Sequence, residues 1–92
     1  MKRNEINNIW MKAIEKKELS AEESAMIDIP LIEHRIAFAA LNKDNSYALE
    51  ITKEYEDTLE IIENHFKNNG FDVEFVERFT PEDYDYLLIE WN

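Results

Sequence analysis

A single glycine, Gly70, stands in this chain of 92 residues. It separates two kinds of apolar pattern. Before it, Tyr55, Leu59, Ile62 and Phe66 step by four or three residues along one helical face, with Thr58 and His65 beside them. After it, Phe71, Val73 and Phe75 alternate with Asp72 and Glu74, as on a strand with one apolar side. A helix commonly stops at a residue in left-handed conformation, which glycine adopts without a Cβ clash. The pattern therefore predicts a helix over 53–69, capped by Thr52 and stopped at Gly70. Phe71 is placed to pack back on its last turn. One glycine also leaves no room for a Gly-rich phosphate loop.

The same periodicities predict the other elements. Leu87, Ile89 and Trp91 share one face of a second strand, with Tyr84, Tyr86 and Leu88 opposite, and Thr80-Pro81-Glu82-Asp83 makes the turn before it. Upstream, Ile6, Ile9, Trp10, Ala13 and Ile14 recur at helical spacing over residues 5–18. Ser20-Ala21-Glu22-Glu23 fits a capping box, so a further helix starts there. Asp28-Ile29-Pro30 is expected to interrupt it, because a residue before proline resists helical geometry. Residues 30–41 read as helix, with Pro30 at the first position and Leu31, Ile32, Arg35, Ile36, Ala39 and Ala40 on a broad face. The rival reading pairs a strand over 36–41 with one over 46–51; the alanines favour a helix followed by a strand at 46–51. The expected class is α+β in the order ααβαββ, a small antiparallel or mixed sheet packed on helices in one domain.

Composition supports a folded domain. Apolar residues make up 45% and aromatic residues 12%, more than a disordered acidic tail carries. The longest apolar run, Ile36 to Leu41, is far short of a membrane span, and the expected location is cytoplasmic. Charge is the other constraint. There are 21 acidic and 10 basic side chains, a net of -11. Residues 1–42 hold 7 acids and 6 bases, a net of -1, whereas residues 43–92 hold 14 acids and 4 bases, a net of -10. Such a chain is repelled by nucleic acid and by anionic membranes, and attracted to basic protein surfaces.

Chemistry is thinly represented. With no cysteine, thiol nucleophiles and zinc-thiolate sites are excluded. His34 and His65 have no orienting partner nearby in sequence and read as structural residues. Glu82, Asp83 and Asp85 offer oxygen ligands, but their spacing is not that of a Ca²⁺ loop, and they read as a solvated turn. No catalytic residue, metal ligand or cofactor is expected.

Gly70-Phe71-Asp72-Val73 directly after an amphipathic helix, followed by a hairpin closing in Leu88-Ile89-Glu90-Trp91, resembles a loose group of small phage and prophage proteins. These share a helix, a GF or GY break, a hairpin and a closing I-x-W, and an upstream apolar helix with alanines like that at 36–41. The resemblance spans roughly residues 30–92 and implies no particular site residues. It implies a phage-type setting, where small acidic proteins often block host enzymes or defence systems.

The expected function is therefore binding, not catalysis. Glu56, Glu60 and Glu63 lie at i, i+4 and i+7 on the predicted helix. One helix is too sparse in charge to imitate a duplex, so Asp72, Glu74, Glu77, Glu82, Asp83, Asp85 and Glu90 would have to join the same surface. Tyr84 and Tyr86 are candidate anchors within it. The expected partner is a host protein with a basic surface, which this chain would inhibit or modulate. The stripe of Ile6, Ile9, Trp10 and Ile14 must be covered by its own sheet or by another copy, which would give a homo-oligomer. Two alternatives stand beside this. One is an oligomeric binder of a small anionic ligand such as a signalling nucleotide, using Lys2, Arg3, Arg35, Lys43 and Arg78. The other is a phage structural or assembly component.

Overall fold

The computed structural model describes residues 1–91. Helix α1 spans Arg3–Glu15 and α2 spans Ala21–Leu41. Strand β1 follows at Ser46–Glu50, α3 at Leu59–Asn68, β2 at Asp72–Val76 and β3 at Tyr86–Glu90. The order is ααβαββ, an α+β fold with helices first. The sheet order is β1-β3-β2, and both pairings are antiparallel. β1 and β2 therefore run parallel to each other, joined across the sheet by α3, with β3 inserted between them.

The register sorts every strand residue by face. Tyr47, Ile89 and Val73 form one row, and Leu49, Leu87 and Phe75 the next. This face meets Ile32 and Ile36 of α2 and Ile62 and Phe66 of α3, and these residues with Leu49, Leu87 and Ile89 make the buried core. α2 lies over β1 and α3 over β2. Trp91, Tyr55 and Phe71 close the margins of the core. The described residues form two layers, and among them no helix lies over the second face of the sheet.

α2 runs through Pro30 without a break, contrary to the expected interruption. Pro30 lacks the N–H that would reach the Met26 carbonyl, so one bond of the ladder is missing. Ala25 and Asp28 before it and Ile32 and Ile36 after it are all buried, so packing holds both halves to one axis. The capping box at the start is formed: the Ser20 hydroxyl accepts from the Glu23 N–H, and the Glu23 carboxylate accepts from the Ser20 N–H.

The expected helix over 53–69 is shorter. Lys53–Tyr55 is a single 3-10 turn, residues 56–58 form a turn, and α3 begins at Leu59. Thr52 makes no side-chain cap. The bend follows from burial: Thr58 is fully enclosed and Tyr55 packs on the core, so the chain must turn between them. The other end is as expected. Gly70 takes φ +89°, the Phe71 N–H donates to the Phe66 carbonyl at 3.0 Å, and the two rings meet edge to face at 5.4 Å.

α1 contributes no residue to the core. It lies along the first half of α2. Lys12 forms an ion pair with Glu23, which with the Ser20 N–H holds the Glu23 carboxyl below the usual carboxylate range. Met1 and Glu5 lie beside Met26, Ile29 and Pro30. The helix ends at Lys16, in left-handed conformation.

Candidate functional site

The open face of the sheet is built by the rows that point away from the helices. Ser46, Glu90 and Asp72 form one row, Ala48, Leu88 and Glu74 the second, and Glu50, Tyr86 and Val76 the third. The three strands contain four carboxylates, Glu50, Asp72, Glu74 and Glu90, and no lysine or arginine. All four carboxylates stand on this face. Leu88 lies at its centre with Tyr86 and Val76 beside it. Leu88 is half-buried, so this face has a small apolar centre ringed by carboxylates.

The loop 77–85 extends this surface. Its acids bond within the loop: the Arg78 backbone N–H donates to Asp85 Oδ1 at 2.8 Å, and the Thr80 hydroxyl donates to Asp83 Oδ2 at 3.0 Å. Those bonds explain two of the three hairpin acids as loop formers. Held this way, the loop and the strand ends enclose an open groove of about 480 Å³, lined in part by Glu50, Glu77, Glu82, Tyr84 and Tyr86. Phe79 also lines it and is 97% exposed. Tyr84 is exposed as well, so two aromatic rings stand in solvent at the edge of an acidic surface.

Asp72, Glu74, Glu82, Asp83, Tyr84 and Tyr86 therefore lie on or around one surface, and Asp85 supports it. Glu56, Glu60 and Glu63 do not join them. Ile62 and Phe66 turn α3 toward the inner side of the sheet, while Glu60 is exposed on the far side of the helix. The helix layer and the sheet separate the two acidic groups. Glu56 is also outside α3, so the expected i, i+4, i+7 face is broken, and Glu63 is paired with Lys67 at 2.8 Å. Glu50 and Phe79 were not foreseen. A cross-strand register is the only signal that places Glu50 with the others.

A second polar group sits where α2, β1 and the 3-10 turn meet. Arg35 lies beside the hydroxyl of Tyr47, and Tyr55 and Glu54 line the same crevice. Burial pushes the Asp28 carboxyl upward, and Glu54 adds to the effect. Burial, Glu54 and Asp28 likewise raise the Tyr55 hydroxyl. His65 approaches Glu33 at 3.6 Å and stacks edge-on against Phe66 at 5.1 Å between ring centres, so it has a packing role at the core margin. Arg35 and Arg78 lie in separate grooves, and neither groove contains a second base. Among the described residues no group of three or more His, Asp or Glu is arranged to hold a metal ion. No helix among them is long and apolar enough to cross a membrane.

α1 leaves most of its apolar stripe uncovered. Ile9 is half-buried, but Ile6, Trp10 and Ile14 are exposed, Trp10 by 61%. The stripe does not fold onto its own sheet, whose inner face α2 and α3 already occupy. A comparison of the chain with protein-family models, curated proteins and solved structures finds no match.

Proposed function

We propose that this chain is a binding protein whose open sheet face docks on a basic surface of a host protein and thereby inhibits or modulates it, in a phage-type setting within the host cytoplasm. The observation that carries this is the segregation of charge on the sheet. All four strand carboxylates stand on the uncovered face, around Leu88, and no strand residue is basic. Solubility alone does not require a single sign there, because a surface with both signs interspersed is soluble and a single-sign field serves steering. A basic partner gains from it twice. The summed field accelerates encounter, and the apolar centre with Tyr86, Phe79 and Tyr84 supplies the contact that holds the complex.

A capture experiment from bacterial lysate tests it, with the chain immobilised at low and at high salt. The expected result is a partner retained at low salt and lost by roughly tenfold at high salt, since exposed charges are screened beyond about 10 Å at 0.1 M. The double variant Asp72→Lys, Glu74→Lys should lose that partner, whereas Glu60→Lys on α3 should keep it. Retention that ignores both salt and the sheet-face reversal would sink the proposal.

A further inference from the structure

α2 is apolar on two opposite faces. One holds Ala25, Ile32 and Ile36 against the sheet and α3. The other carries Ile27, Leu31, His34, Phe38 and Leu41, spaced four, three, four and three residues apart. That spacing is the a/d seam of a helix pair. Leu31 and Phe38 are 56% and 62% exposed and Leu41 is 81% exposed, so the described residues leave this part of the seam uncovered. A helix apolar on both sides is stable when both sides are covered.

We infer that a second copy of this chain covers the seam, with the two α2 helices antiparallel about a two-fold axis at His34. Two observations select this occupant. The first is charge: two chains of net -11 repel, and only the helical half, at a net of -1, lets them approach. The second is self-complementarity. Ile27 and Leu41 lie seven residues on either side of His34, and Leu31 and Phe38 lie three and four away, so reversal sets each apolar residue against another. α1 lies along the first half of α2, fixed by Lys12–Glu23 and by Met1 and Glu5 beside Met26 and Pro30, and leaves Leu31, Phe38 and Leu41 exposed for this pairing. The three exposed side chains of the seam offer roughly 100 Å² each on either copy, a small interface of the kind that comes apart on dilution.

The inference is independent of the sheet-face proposal and is tested without any partner. Light scattering at roughly 100 µM should give twice the 11.0 kDa chain mass, falling on dilution toward the monomer. The variant Leu31→Glu, Phe38→Glu should be monomeric with an unchanged helical spectrum. The chain has no cysteine, so single cysteines report the geometry even if that variant fails to fold. His34→Cys should form an intermolecular disulfide on mild oxidation. Leu41→Cys should not, because the two positions 41 lie about 20 Å apart along the antiparallel pair, beyond disulfide reach. A wild-type chain that stays at monomer mass, or equal crosslinking at 34 and 41, overturns the inference.

Discussion

Asp72 on β2 and Glu90 on β3 are direct cross-strand partners on the open face of the sheet. Like charges set directly opposite each other on neighbouring strands destabilise the pair. Asp72→Lys converts the repulsion into an attraction. It should raise folding stability by roughly 0.5–1 kcal/mol in urea denaturation. The gain should shrink as salt is added, because both groups stand where water screens them. A lysine that stabilises the fold while removing partner capture would show that the acidic face is kept at a cost to stability.

Pro30 gives a second prediction. Pro30→Ala restores a backbone donor to α2 and removes the ring from the helix interior. The interior penalty of proline is about 3 kcal/mol, and the lost rigidity of the unfolded chain offsets about 1 kcal/mol of it. A net gain near 2 kcal/mol is expected from chemical denaturation. A loss would mean that the proline sets a bend that the packing of Ile32 and Ile36 requires.

Asp28 makes stability depend on pH in a defined direction. Its carboxyl is raised first by burial and then by Glu54, with Tyr55 among the groups that feel its charge. A raised acid binds its proton more tightly in the folded state, so the fold loses stability as pH rises from the unfolded toward the folded pKa. Below the usual carboxylate range the penalty is absent. Asp28→Asn should therefore be more stable than the wild type at pH 7, and the difference should vanish as the medium is acidified below that range. Urea midpoints across pH 3 to 7 measure it, and a difference that does not change with pH would contradict it.

Gly70 can be tested at one atom. A Cβ built there meets nothing within 4 Å, so an alanine would cost only backbone strain at φ +89°. Gly70→Ala should lower stability by roughly 1–2 kcal/mol, and Gly70→Asn by less, because asparagine tolerates the left-handed region. Equal losses for the two would point to a contact of the side chain instead of the backbone.

Much of the fold was legible because it rests on local periodicity. The step of four and three through Leu59, Ile62 and Phe66, the stop at Gly70 and the alternation of Val73 and Phe75 all describe single elements. What was not legible depends on neighbours. Pro30 reads as a break until Ala25 and Ile36 are seen to be buried on either side of it. Residues 53–58 continue the helical spacing, yet burial of Thr58 bends the chain there. The separation of Glu56, Glu60 and Glu63 from the sheet acids was hidden for the same reason. Glu60 and Asp72 each look like the polar side of an amphipathic element, and nothing in their spacing reveals that those elements turn their polar sides in opposite directions. Trp10 shows where covering is needed, but not that the inner sheet face is already filled.

The sheet order has a consequence for how the molecule comes into being. β3 lies between β1 and β2, yet it is the last of the three to be synthesised. Neither earlier strand has a hydrogen-bonding neighbour until residues 86–90 have left the ribosome. Until then Leu49, Ile62 and Phe66 face water on a nascent chain, within reach of chaperones and proteases. Cooperative folding must wait for these five residues, so a stop shortly before Tyr86 would leave a chain without this sheet.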